Sequence, residues 1–196
     1  MLAPFNASDT ALLLIDHQIG TMQLIKNLPL DRVQKNTLAL AKTAKILGIP
    51  ILLTSSQEEM LQGPLMPELI KLLPDEYAAR IKRAGIADAW TDPNFKGAVE
   101  RMKRRNLIMA GVTTDVCLVF PAINAVAAGF NVQAVMDASG SPYEVSEELA
   151  RRRMAANGVV LTATVTIIAE LAQDWSRPEG EMLKGVLFAD VLPPVA

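Results

Sequence analysis

The apolar positions of the chain fall into two kinds of segment that alternate along it. Short unbroken runs, bounded by polar or turn-forming residues, are followed by longer stretches in which apolar residues recur at helical spacing. The first run, Ala11-Leu-Leu-Leu-Ile15, would be apolar on both faces and reads as a fully buried strand. Pro50–Thr54, Leu107–Ala110, Val132–Met136 and Val159–Leu161 read the same way, and Ala79–Arg83 is a weaker extended segment. The helical stretches are Leu30–Leu47, stopped at Gly48, and Pro67–Leu73, ended by Pro74. A third opens at Asp92-Pro93, with Asp92 as cap and Pro93 at the first helical position, and runs to about Arg105. Thr114–Ala128, Glu144–Ala156 and Val165–Trp175 complete the set, the first two stopped by Gly129 and by Asn157-Gly158. The tail from Gly180 is apolar and would dock on the body or on another subunit.

Strand and helix alternating about six times predict an α/β fold. The expected architecture is three-layered and Rossmann-like, with a central, mostly parallel sheet of about six strands and helices on both faces. With no repeat, low-complexity tract or Gly/Ser linker, residues 1–196 read as a single domain. In such sheets ligands bind beyond the C-terminal ends of the strands. The residues expected there are Asp16-His17-Gln18, Thr54-Ser55-Ser56, Lys82-Arg83, Gly111-Val-Thr-Thr114 and Asp137-Ala-Ser-Gly140.

Composition narrows the function by exclusion. Charge is nearly balanced, 19 Lys+Arg against 21 Asp+Glu, so no basic face for nucleic acid is expected. The run Lys103-Arg104-Arg105 reads as a favourable end to a helix dipole rather than a phosphate site. The stretch MLAPFNASDTALLLID lacks a basic segment followed by a cleavage site, and Thr10–Ile15 is too short to span a bilayer. A single cysteine allows no intrachain disulfide, which makes the cytoplasm the default location. One histidine and one cysteine leave too few ligands for a usual zinc site, so no metal is expected.

Two residues stand where chemistry would be expected. Asp16 ends an apolar strand, where burial raises a carboxylate's pKa and makes it a base; its alternative role is a helix cap or a structural ion pair. Cys117 falls in the first turn of a helix, whose N–H groups and positive end would lower the thiol pKa and hold an oxyanion. Its alternative role is that of a small buried hydrophobe. His17 neighbours Asp16, but side chains alternate along a strand, so the two are expected to serve opposite faces. The same argument allows only one of Lys82 and Arg83 to face the site.

Leu12-Leu-Leu-Ile-Asp16-His-Gln18, Ala110-Gly-Val-Thr-Thr-Asp-Val-Cys117 and Asp137-Ala-Ser-Gly140 together resemble the isochorismatase-like cysteine hydrolase family, from about Ala11 to Trp175. Gly63-Pro-Leu-Met-Pro-Glu-Leu69, Ala89-Trp90 and Phe120-Pro121 resemble a narrower branch, the YcaC-type hydrolases, oligomers whose substrate is unsettled. The resemblance implies a triad of aspartate, a cation and cysteine. Asp16 and Cys117 match it directly, and alignment back from Ala89-Trp90 puts Arg83 on the cation, with Lys82 adjacent. It also implies a cis peptide at Val112–Thr113 and an oxyanion hole formed by the N–H groups of Thr113 and Cys117.

The activity implied is hydrolysis of a C–N bond in a small molecule through a thioester on Cys117, with no cofactor. Trp90, Phe120 and Thr54 are the candidate pocket walls. Neither nucleic acid nor membrane is an expected partner, whereas a homo-oligomer is, with an octamer as the size the resemblance suggests. One histidine cannot supply the Asp/His/His metal site of nicotinamidases, and isochorismatases proper lack the nucleophilic cysteine, so both activities are disfavoured. The alternatives are a redox sensor using the same thiol, and a catalytically idle member kept for assembly.

Overall fold

A computed structural model describes residues 4–194 of the chain, so part of the stretch read for a leader and the end of the tail lie outside it. Six strands form one sheet: β1 Thr10–Ile15, β2 Ile51–Ser56, β3 Ile81–Arg83, β4 Asn106–Gly111, β5 Asn131–Val135 and β6 Val160–Thr162. Their order is β3-β2-β1-β4-β5-β6 and every pairing is parallel. The helices are α1 Ile19–Met22, α2 Leu30–Ile46, α3 Pro67–Leu72, α4 Pro74–Ala78, α5 Pro93–Arg101, α6 Val119–Ala127, α7 Glu144–Ala156, α8 Thr164–Ala172 and α9 Pro178–Val186. Among the described residues no helix is long and apolar enough to cross a membrane.

The run Ala11–Ile15 is apolar throughout because both of its faces are covered. Leu12 and Leu14 pack with Val33 and Leu40 of α2 and Ile167 of α8, while Ala11, Leu13 and Ile15 pack with Phe95 of α5 and Ala122 of α6. Strand side chains alternate between faces, so one continuous run feeds two cores. Asp92 caps α5 as expected, accepting from the N–H groups of Asn94 and Phe95 at 2.8 and 3.2 Å.

Two expectations need correction, while the helix from Pro67 does end before Pro74, at Leu72. Pro74 then opens a further short helix, α4, because proline at the first helical position gives up an N–H that has no partner anyway. Helix α5 stops at Arg101, and Lys103 takes a φ of 52°. The run Lys103–Arg105 therefore lies in the turn before β4, where Arg104 Nη1 donates to the Ser8 carbonyl at 2.7 Å, rather than on a helix end. The stretch after Thr113 begins with a wide turn, Thr114–Leu118, before α6 proper starts at Val119. The apolar tail docks on its own body, with Leu183, Val186 and Leu187 packed on Ala39 of α2 and Ile168 of α8.

Candidate active site

In the order β3-β2-β1-β4-β5-β6 the chain direction across the sheet reverses between β1 and β4, and parallel sheets open a crevice at such a point. Asp16 follows β1 and Cys117 lies six residues beyond the end of β4, so the crevice joins two residues far apart in sequence.

Asp16 has a φ of 57°, a left-handed conformation that Asp tolerates better than most residues. The strand's alternation therefore ends at Ile15. The separation of Asp16 from His17 holds, but this turn causes it rather than the pleat. Asp16 meets Arg83 from the end of β3, whose Nη2 bonds both carboxylate oxygens, while His17 Nε2 pairs with the Ala138 carbonyl at 2.9 Å. Both members of the ion pair are buried, with side chains 1% and 2% exposed. Lys82 points the other way, 60% exposed and 3.2 Å from Glu58. The pleat thus settles which cation faces Asp16: it is Arg83.

Arg83 is held from three sides. Its Nε donates to Thr54 Oγ1 at 3.1 Å and its Nη1 to the Ile86 carbonyl. Thr54 is fully buried and donates in turn to the Ile81 carbonyl at 2.7 Å. Thr54 is therefore a support for Arg83 and not a wall of the pocket. Trp90 is also misplaced by the sequence reading. Its ring meets that of Phe130 edge-on at 5.4 Å, and Phe130 precedes β5 at the end of the sheet opposite the site. A large apolar ring gains more from the core than from a solvated rim. Phe120 is half-buried on α6 with Arg153 of α7 over its ring, 5.0 Å from the centroid.

Cys117 sits in the wide turn at the helix start, where the Val112–Thr113 peptide is cis. Its N–H donates to the Thr113 carbonyl at 2.8 Å, an oxygen that also receives the N–H groups of Val116 and Leu118 at 3.3 and 3.2 Å. The thiol pKa is raised, contrary to the expectation from the helix end. Burial is the main cause, followed by the charge of Asp16 and a hydrogen bond with its carboxylate; Arg83 and a hydrogen bond from the Thr113 main chain oppose it. The Asp16 pKa is also raised by burial, against the pull of Arg83 and of the bonds it accepts. The resting pair is therefore a thiol beside a carboxylate whose proton affinity is enhanced.

Two contributors went unassigned in the sequence. Ser139 Oγ accepts from the Gly111 N–H at 3.0 Å, and the Gly140 carbonyl accepts from Thr114 N–H at 2.8 Å, so the Asp137–Gly140 loop holds the cysteine turn in place. Gln18 acts as a strand mimic: its Oε1 accepts from the Ser56 N–H and its Nε2 donates to the Ser56 carbonyl, at 2.8 and 2.9 Å. Both lie inside stretches already singled out, but only tertiary contacts reveal what they do. Among the described residues, no three His, Cys, Asp or Glu side chains lie together as metal ligands would.

His17 supplies a pH dependence. Burial lowers its pKa from 6.5 to about 4. The unfolded chain binds the proton first, so the fold is expected to lose stability as pH falls from 6.5 towards about 4. His17→Gln should flatten that part of a melting-temperature-against-pH curve. A slope unchanged by the substitution would place the effect elsewhere.

Comparison with known proteins places the chain in a family. The isochorismatase domain profile matches residues 10–165. The chain belongs to the isochorismatase family. Within that family it is 39% identical to the probable hydrolase YcaC of Escherichia coli K12 over 186 residues, 95% of this chain and 88% of that one. The structure of YcaC from Pseudomonas aeruginosa with hexane-2,5-diol and covalent acrylamide superposes with a TM-score of 0.91 at 36% identity, covering 97% of this chain and 93% of that one. The E. coli YcaC structure, described as an octameric hydrolase of unknown specificity, gives the same TM-score of 0.91 at 36% identity, covering 97% and 92%.

Proposed function

We propose that this isochorismatase-family protein is a cysteine hydrolase that cleaves the C–N bond of a small, uncharged amide. The observation that carries the reading is the convergence of a buried Asp16–Arg83 pair on the Cys117 thiol at the β1–β4 crevice. Asp16 takes the thiol proton as Cys117 sulfur attacks the carbonyl carbon. Arg83 stays charged throughout and stabilises the thiolate and the carboxylate in turn. The developing oxyanion accepts from the Thr113 N–H, and the Cys117 N–H joins as its bond to the Thr113 carbonyl lengthens. Protonated Asp16 then gives its proton to the departing amine as the C–N bond breaks, leaving a thioester. Asp16 next takes a proton from water, whose oxygen attacks the thioester carbon. The acid leaves, and the thiol regains the proton.

The choice of an uncharged substrate follows from how Arg83 is used. Its donors are engaged by Asp16, Thr54 and the Ile86 carbonyl, which leaves little to grip a substrate carboxylate. Ile86 and Val116, 41% and 40% exposed, present apolar surface on the loops that follow β3 and β4. The covalent acrylamide on the P. aeruginosa relative fits a nucleophile that accepts a small neutral amide-bearing compound. A peroxide sensor fits less well, because sensor cysteines have low pKa values and the Cys117 thiol is raised.

The test is a mass-spectrometric screen of small amides against the wild-type chain and Cys117→Ser. The expected result is an acyl adduct on Cys117 with release of the acid, both lost in the variant. Product release that survives Cys117→Ser would overturn the thioester route, and activity confined to carboxylate-bearing amides would overturn the substrate class.

A further inference from the structure

The two flanks of the crevice carry apolar surfaces that none of the described residues covers. On one flank, the loop between β2 and α3 puts Met60 and Leu61 at its tip, 66% and 95% exposed. Exposed pairs of this kind are usually mobile, but this loop is pinned. The N–H groups of Ile19 and Gly20 donate to the carbonyls of Pro64 and Gln62, each at 2.9 Å, and Gly63 N–H closes the tip onto the Met60 carbonyl at 3.1 Å. The backbones approach so closely that a Cβ on Gly20 would lie 1.8 Å from the Leu61 carbonyl oxygen. The pinned backbone keeps Met60 and Leu61 presented to water together, and an exposed apolar patch held in place marks an interaction surface.

On the other flank, α7 packs against the turn that bears Cys117. Tyr143, Val145 and Leu149 are 70%, 67% and 61% exposed, and Val116, beside Cys117, is 40% exposed. Val145, Leu149 and Arg153 follow one another at intervals of four and so form one stripe of the helix. Arg153 has no carboxylate partner among the described residues, and Glu59, next to Met60, has no cation there. Tip and stripe are thus complementary in both polarity and charge, and they lie on opposite sides of one opening. A surface that carries both halves of a contact is self-complementary, as a symmetric pairing of identical chains requires.

We propose that a second copy of this chain seats its Met60–Leu61 tip on the Val116, Tyr143, Val145 and Leu149 patch, with Glu59 meeting Arg153, so that each copy walls the other's opening to Cys117. The octameric state described for the E. coli relative shows that such chains assemble, and leaves open which surfaces do it. The contact does not depend on the hydrolytic reading, since it follows from exposure, rigidity and charge.

Two measurements test it. In a Cys117→Ala background, Leu61→Cys and Val145→Cys in the same chain should give covalent species of two or more chains on mild oxidation, seen on a non-reducing gel. Either substitution alone should give far less. Only monomer, or equal cross-linking by the single variants, would overturn the contact. Separately, Leu61→Glu and Leu149→Glu in the otherwise native chain alter exposed positions and should leave the circular dichroism unchanged. Each should reduce the mass measured by light scattering and speed iodoacetamide alkylation of Cys117 several-fold. A wild-type chain that is already monomeric, or an unchanged mass, overturns the pairing. A reduced mass with an unchanged alkylation rate overturns the closure of the site.

Discussion

Asp16→Asn is expected to cut amide turnover by roughly 10²–10⁴-fold, the usual worth of a general acid–base group, while making Cys117 easier to alkylate at neutral pH. The two effects part company because Asp16 does two opposed things to the thiol. Its charge and its hydrogen bond raise the thiol pKa, so the carboxylate keeps the sulfur protonated at rest. In the proposed mechanism it is also the acceptor for that proton and the donor for the leaving amine. Asparagine removes all three roles at once and leaves the buried Arg83 without its carboxylate, so the thiolate becomes the counter-ion. The midpoint of iodoacetamide alkylation against pH should therefore move down in the variant, while hydrolysis disappears. If alkylation at neutral pH slowed together with turnover, Asp16 would be the base without holding the thiol up, and the electrostatic account would be wrong.

The same shift makes a claim about stability. A thiol whose folded pKa is raised ionises first in the unfolded chain, so wild-type stability should decline as pH rises above 9.0, the ordinary thiol value. Cys117→Ala should remove that decline.

Arg83→Met is expected to cost about 3–5 kcal/mol of folding stability at neutral pH, because it strands a carboxylate that is 2% exposed without a counter-charge. The methionine stem replaces much of the lost packing, so the loss reports charge more than volume. In this variant the Asp16 pKa, already raised by burial, loses the opposing pull of Arg83. A carboxylate raised in the folded state contributes stability at low pH that is lost as pH rises through its folded pKa. Urea midpoints of Arg83→Met should therefore fall with rising pH more steeply than those of the wild type. The double variant Asp16→Asn with Arg83→Met should recover most of the loss, since it leaves neither charge unpaired. Additive losses in the double variant would mean that the two side chains matter separately and not as a pair.

The sequence and the structure part at the level of side-chain direction. A five-residue apolar run can be only a buried strand or a buried helix segment, and its flanks decide between them, so β1 was legible from composition alone. The Asp92-Pro93 pair marks a helix start by local chemistry and needs no tertiary help. Trp90 was placed wrongly because a helical turn can carry its ring to either end of the sheet, and only Phe130, 40 residues on, fixes which. Thr54 was placed at the right strand end with the wrong task, since its bond to Arg83 runs between β2 and β3.

What the sequence by itself determined is local: strands from unbroken apolar runs, helix starts from caps and prolines, and an aspartate and a cysteine at the ends of elements. Parallel topology then forces those ends onto one edge, which is why the site's location could be read before its geometry. The tertiary structure decided what depends on distance and burial. It turned Arg83 rather than Lys82 towards Asp16, and brought that carboxylate beside Cys117 from a strand about a hundred residues away in sequence. It also reversed the expected shift of the thiol. A helix start favours the thiolate through partial charges on a few N–H groups, whereas burial and a full negative charge beside the sulfur oppose it more strongly. Partial charges are written into local sequence; desolvation and a partner's full charge exist only once the chain has folded around them.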